Sequence, residues 1–342
     1  MRYGKRFALS LLCITVLHGI APFAGFFAPY DYAEQNRNLP YVPPSKIHFR
    51  DAQGTFHWRP CICLPKERQG TFGVYDEDRG NCFPVHFLVR GTRYRVLGVL
   101  QFTTHLFGVS SPGKIFVLGS DGYGRDELSR LLYGTCLSLF SGSLATALTL
   151  GLGMLLGTIA GYFGGWWDAI IMRLVELFLA LPWLYLLLGI RALLPLHIDP
   201  SQAFLLLIAV IGVVGWARPA RLIRGIALSE RERGYVLAAR MFGASDAYVM
   251  RRHIAPSTYG VLLTQAALLA PQYIAAEVTL SFLGLGVTEP VPTWGNMLSV
   301  LQQYDVLVSY WWMWAPAVAL ILVGTMYWRL ASALQTSEVT AH

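Results

Sequence analysis

Long apolar runs alternate along the 342 residues with polar segments rich in arginine, glycine or aromatics. A helix needs about 20 mostly apolar residues to cross the hydrocarbon core of a bilayer. Six stretches meet that need, roughly 7–29, 137–161, 169–194, 202–219, 259–285 and 306–328. The pattern predicts an all-α, polytopic membrane protein of six transmembrane helices. The third stretch is the least regular, with Arg173 and Glu176 near its start and Pro182 in its middle. It is expected to begin at the interface, where Arg173 and Glu176 can pair at i and i+3, and to kink within. Composition agrees, with 54% hydrophobic residues, 14% charged residues and a mean hydropathy of +0.46.

The net charge of +7 follows topology rather than a nucleic-acid surface. Arg2, Lys5 and Arg6 precede the first span, and 218–257 carries eight arginines against Glu230, Glu232 and Asp246. Residues 287–305 hold no Lys or Arg. By the positive-inside rule the N-terminus, the 218–257 loop and the C-terminus are cytoplasmic, and the long 30–135 segment lies outside. The basic start also fits a cleaved signal peptide, but the apolar stretch is long and Phe26 is bulky for a cut at Ala28, so a retained span is expected.

Residues 30–135 form too long a segment to lack structure. The runs "KIHFRD", "TFHWR", "VHFLVRG" and "YRVLGVL", separated by Gly, Pro and Asp, predict a small β-rich extracytoplasmic insertion between helices 1 and 2, entered through the Pro-rich "LPYVPPS". Its His48, His57, His86 and His105 lack metal-ligand spacing, and no metal site is assigned. In an oxidising compartment Cys82 can pair with Cys61 or with Cys63. Cys13 and Cys136 lie in or beside spans and read as packing.

"KIFVLGSDGYGRDELSRLLYG", residues 114–134, has the order strand, glycine turn, helix. Gly119 and Gly124 stand five apart as in a phosphate loop, yet Arg125 and Asp126 follow where Lys and Ser or Thr are needed. Glu127 occupies the third glycine position of a dinucleotide fingerprint. Neither nucleotide nor cofactor is assigned. After the turn, Asp126 and Glu127 suit the first turn of an interfacial helix whose Leu128, Leu131 and Leu132 share one face. Further on, Gly153, Gly157, Gly161 and Gly165 recur every fourth residue, a stripe that lets membrane helices approach closely. Glu277 lies inside the fifth span, where an ionisable group either lines an aqueous path or is buried and hydrogen-bonded. Trp311, Trp312 and Trp314 read as an interfacial aromatic belt.

The 218–257 loop, "RPARLIRGIALSERERGYVLAARMFGASDAYVMRRHIAP" over 218–256, predicts a helix from about Leu222 to Met241, a cap at Gly243 and a second helix started by Ser245 or Asp246, ending before Pro256. It could lie on anionic lipid or dock a soluble partner. Ala238 and Ala239 beside Gly243 offer little side chain, which favours close contact with a partner.

Here the chain resembles the permease subunits of binding-protein-dependent ABC importers, whose cytoplasmic signature is E-A-A, three residues, Gly, nine residues, I-x-L-P. Leu237-Ala238-Ala239, Gly243 and Ile254-Ala255-Pro256 match that spacing, with Leu237 and Ala255 where the family has Glu and Leu. "YVLAARMFGASDAYVMRRHIAP", "LGSDGYGRDELSRLLYG", "GYFGGWWDAIIMRLVE" and "SFLGLGVTEPVPTWGNML" are similar to the dipeptide and oligopeptide branch, in order from residue 118 to 298. The tail "MYWRLASALQTSE" departs from the family pattern.

The resemblance implies a type I ABC importer permease fold in the bacterial inner membrane. It implies a second homologous permease, two cytoplasmic ATPases that alone hydrolyse ATP, and an extracytoplasmic solute-binding protein delivering peptides. Ala238, Ala239, Gly243, Ala244, Ser245, Asp246, Arg251, Arg252, Ile254 and Pro256 would form the ATPase-coupling loop. Asp121, Gly124, Arg125, Asp126 and Arg130 would form an outer scaffold or gate segment, with Glu277 a pore residue. The expected divisions are 1–29, 30–135, a 136–330 core and a 331–342 tail. Nickel or glutathione remain alternative substrates. An ion-gradient carrier is the rival mechanism; without H-E-x-x-H or G-x-S-x-G an intramembrane hydrolase is a weaker one.

Overall fold

A computed structural model describes residues 5–50, 56–68, 73–96, 99–192 and 199–339. In chain order the elements are α1 (Lys5–Ile20, continued by short turns to Phe27), β1 (His48–Arg50), β2 (Phe56–Glu67), β3 (Tyr75–Val96) and β4 (Leu100–Val109). There follow α2 (Glu127–Phe163), α3 (Gly165–Ala180), α4 (Trp183–Ala192), α5 (Pro200–Gly215), α6 (Ala217–Glu230), α7 (Gly234–Met241) and α8 (Asp246–Val249, running on to Ser257). The last are α9 (Tyr259–Phe282), α10 (Trp294–Ser299), α11 (Tyr304–Ser309) and α12 (Ala315–Val339).

Four stretches among the described residues are long and apolar enough to cross a membrane: Phe7–Phe27, Glu127–Phe163, Tyr259–Phe282 and Trp311–Thr336. A fifth is the pair Phe204–Gly215 and Ala217–Glu230, bent by 42°. The bend has a local cause. Pro219 lacks the N–H that would bond the Gly215 carbonyl, so the helical ladder is interrupted there. The expected third span falls on α3 and α4, separated at Leu181–Pro182 and each short of a full crossing; its last two residues, 193 and 194, lie outside the described residues. The segment expected as an interfacial helix and the second span are one 37-residue helix, α2.

The chain divides into two compact units. One takes residues up to 14, 140–280 and from 322 onward. Its glycine stripe is a packing device. A Cβ on Gly157 would stand 2.6 Å from the Ala220 carbonyl oxygen of α6, and one on Gly161 2.6 Å from that of Arg224. Gly165 falls off the stripe, because α2 ends at Phe163 and Gly164 and Gly165, with φ of 66° and 54°, turn the chain into α3. Ala160, Ile171, Val175, Trp216, Ala217 and Ala220 form a buried cluster there. Thr149 donates to the Gly212 carbonyl at 2.9 Å and lies 3.1 Å from the Tyr273 hydroxyl, tying α5 and α9 to α2.

The other unit takes residues 15–139 and 281–321. Its antiparallel sheet has the order β1-β2-β3-β4. Two expected strands share β3: "VHFLVRG" lies within this 22-residue strand, and "YRVLGVL" begins at its end and finishes at the first residue of β4, with residues 97 and 98 outside the described residues. Cys63 and Cys82 face each other in the β2–β3 register and form the disulfide, which leaves Cys61 buried and free. Ile62, Val85 and Ile115 make the core under the sheet. His105 wedges between the carbonyls of Ala28, at 2.6 Å, and Thr92, at 2.9 Å, while His48 pairs with Glu77. The tryptophan run divides. Trp311 and Trp314 are exposed as a belt requires, but Trp312 is buried and donates to the Ser120 carbonyl.

Candidate functional site

The 218–257 segment is two helical pieces and a tight turn on a small core of its own. The single expected helix from Leu222 to Met241 is broken at Arg231–Arg233, where Arg233 turns extended and restarts the chain as α7. Gly243, at φ +83°, ends α7: its N–H bonds the Arg240 carbonyl and the Ala244 N–H bonds that of Ala239. This doubly bonded left-handed cap favours glycine because a Cβ is strained at that φ. Ser245 then caps α8, accepting from the Tyr248 N–H.

Tyr162, Ala227, Val236, Val249 and Ile254 are buried together, so Ile254 anchors the segment rather than facing outward. Asp246 accepts from the Tyr162 hydroxyl at 2.5 Å and from Arg240 at 3.5 Å; these bonds, the Tyr162 one foremost, hold its carboxyl below the usual range. Arg231 donates to the last carbonyls of α2, at Gly161 and Tyr162, and Arg224 grips Asp168 with both arms of its fork. A rigidly held apex results. Ala238, Ser245, Arg251, Arg252 and Pro256 are exposed on it, with Ala239 and Ala244 half-buried. Met241 and Phe242, not singled out from the sequence, are at 88% and 92% exposure the most open large apolar residues of the turn.

The scaffold residues form a second cluster, in the other unit. Asp121 Oδ1 accepts from the backbone N–H groups of Tyr123 and Arg125, and its Oδ2 from Arg125 Nε at 2.6 Å. Arg125 and Arg130 then converge on Glu289, with nitrogen–oxygen distances of 2.6 and 2.8 Å. Two guanidiniums and two carboxylates close a neutral ring in which both arginine side chains are at most 5% exposed. Glu289 was not singled out from the sequence, because 164 residues separate it from Arg125. Gly124, at φ +68°, has no room for a side chain: a Cβ would stand 1.9 Å from the Asn36 carbonyl oxygen.

Asp126 caps α2, accepting from the Ser129 N–H and hydroxyl with one oxygen while the other lies buried without a partner. Burial pushes its carboxyl up to about 7, against the pull of Ser129. The expected apolar face is inverted. Asp126, Glu127, Ser129 and Arg130 are buried and Leu128, Leu131 and Leu132 half-exposed, which suits a helix entering a medium more apolar than its paired interior. Glu277 is fully buried within α9.

Long apolar helices, a paired charge ring at a helix start and a rigid, apolar-tipped turn define a polytopic membrane protein. Residues 153–337 match the family described as binding-protein-dependent transport system inner membrane component. That match covers more than half of the chain, and the chain belongs to this family. It is similar to the dipeptide transport system permease protein DppC of Bacillus subtilis, 37% identical over 210 residues that make up 61% of this chain and 63% of DppC. It is also similar to the oligopeptide transport system permease protein OppC of the same organism, 35% identical over 198 residues, 58% of this chain and 63% of OppC. The chain thus spans under two thirds of either relative.

Proposed function

We propose that this chain is one of two homologous permease subunits of an ATP-driven importer of short peptides. A solute-binding protein delivers the peptide outside, and two separate ATPases hydrolyse ATP in the cytoplasm. In this reading the chain makes six crossings, α3 and α4 together being the third, with both termini and the 218–257 segment cytoplasmic. The peptide substrate is carried over from its dipeptide and oligopeptide permease relatives.

The observation that carries the reading is the capped turn at Gly243 in a chain of this family. Met241 and Phe242 supply an apolar knob, flanked by Ala238, Ala239 and the exposed Arg251 and Arg252. Such a knob fits a groove with an acidic rim, and the arginines give it orientation. Tyr162, Asp246 and Arg231 link the turn to the end of α2, so a displacement of the turn by a closing ATPase reaches a spanning helix as a rigid-body movement. The Asp121–Arg125–Arg130–Glu289 ring holds the start of α2 as a scaffold. Full burial of Glu277 supports a role inside the bundle over a path-lining one.

Gentle solubilisation from the native membrane, followed by mass spectrometry of what co-purifies, tests the assembly. A second permease with ATPases supports it; recovery of this chain alone across several mild detergents points instead to a self-sufficient carrier. Gly243→Trp tests the coupling. No neighbouring atom would clash with a side chain at Gly243, while the strain of a Cβ at φ +83° falls on the turn itself, so assembly should survive while transport-coupled ATP hydrolysis is lost, and wild-type coupling in that variant would sink the assignment.

A further inference from the structure

Between the first turns of α1 and the last turns of α12 lies a cleft of ≈ 720 Å³, lined by Phe7, Leu9, Ser10, Arg329, Ser332 and Thr336. Arg329, Ser332 and Thr336 follow at spacings of three and four and share one helix face. Arg329 is exposed and makes no ion pair or hydrogen bond among the described residues. The facing wall is the beginning of the span Phe7–Phe27, so the guanidinium stands level with the end of a membrane crossing. In the sequence Arg2, Lys5 and Arg6 come immediately before that wall. An arginine at that depth faces lipid phosphates.

Phe7 also lines a second opening, of ≈ 680 Å³, whose other walls include Leu11, Ala147, Leu150, Ala266 and Leu334. Its lining is almost wholly apolar, apart from Ser143, Thr146 and the Tyr327 hydroxyl. A cationic, hydroxyl-bearing compartment therefore adjoins an apolar slot across one phenylalanine. That polarity is the polarity of a phospholipid. A protein helix could fill the slot, but it would bring the guanidinium no anion unless it carried a carboxylate at the same level.

We infer that this paired cleft binds one anionic phospholipid, with its phosphate on Arg329 and an acyl chain between Leu11, Ala147 and Leu334. The site holds whichever way the chain transports its cargo. It makes the packing of α1 against α12 depend on the anionic lipid content of the membrane.

Native mass spectrometry of the protein, purified in mild detergent with the subunits that accompany it, reads the site directly. Titrations use phosphatidylglycerol, phosphatidylcholine and inorganic phosphate as separate probes. The wild type should retain one phosphatidylglycerol per chain in preference to phosphatidylcholine, by about fivefold for one basic residue at an anionic headgroup. Arg329→Gln should abolish the preference and Arg329→Lys keep most of it. Ala147→Phe, which fills the slot from an exposed position, should shed the lipid with Arg329 intact. The inference is overturned by equal retention of the two lipids, or by undiminished preference in Arg329→Gln. It is equally overturned if millimolar phosphate displaces the lipid, which means an ion site, or if a partner subunit excludes it, which means a protein interface.

Discussion

Replacing Glu289 by Gln removes one of four charges from a ring in which Arg125 and Arg130 are nearly sealed from solvent. The wild-type ring is neutral; the variant holds one uncompensated positive charge. Charge centres about 4 Å apart attract by roughly 4 kcal/mol at an effective dielectric of about 20, and Glu289 serves two guanidiniums. Its own side chain is 44% exposed, so water reaches the gap and recovers part of the loss. Breaking a fully buried pair costs about 3–5 kcal/mol, and the lower end of that range, about 3 kcal/mol, is expected here. Thermal and denaturant unfolding in detergent measure it. Adding Arg130→Gln restores neutrality, so the double variant should be more stable than the sum of the two singles by about 1–2 kcal/mol. Salt should reduce the difference in part, because both arginines are buried but Glu289 reaches solvent. A Glu289→Gln variant within about 0.5 kcal/mol of wild type, or strict additivity in the double variant, would refute the ring as a stabilising unit.

Asp126 gives a pH dependence. Folding raises its pKa from about 3.9 to about 7, so the folded state binds the extra proton; the contribution of Asp126 to stability is greatest below about pH 4, falls as pH rises towards 7 and then levels. Asp126→Asn keeps an oxygen for Ser129 and should flatten that slope in melting curves taken between pH 4.5 and 8; parallel curves for the two proteins would count against it. Gly157→Ala should destabilise by about 1–3 kcal/mol through overpacking, whereas Gly151→Ala, with nothing near its Cβ, should be neutral or stabilising by up to about 1 kcal/mol; equal melting temperatures for the two would remove the close α2–α6 contact. Unreduced, denatured protein should expose three thiols to maleimide and five after reduction, given one disulfide among five cysteines. Cys82→Ser should then cost about 3 kcal/mol for a loop of this length, and five labelled thiols without reductant would exclude the bridge.

The membrane-spanning character of the chain was legible because hydropathy is a property of residue composition over about 20 positions, which needs no knowledge of neighbours. Gly243 and Ser245 were legible for a related reason: caps depend on one residue's backbone freedom or side-chain length. The break at Arg231–Arg233 was not, since Glu230 to Arg233 are all good helix formers, and the core of Tyr162, Val236 and Ile254 beneath them redirects the chain. Local chemistry likewise left Cys61 and Cys63 equivalent as partners for Cys82, and only the strand register separates them.

The sequence by itself determined where the apolar helices lie, where the turn at Gly243 falls and which side chains could carry charge. Tertiary structure decided how those charges are used. It brought Glu289 to Arg125 and Arg130, turned the polar face of the start of α2 inward and its leucines outward, and buried Glu277. Partners in an ion pair are chosen by distance in space, and in a bilayer the sign of amphipathicity is set by what packs against the helix rather than by water. Neither quantity is written in the local order of residues.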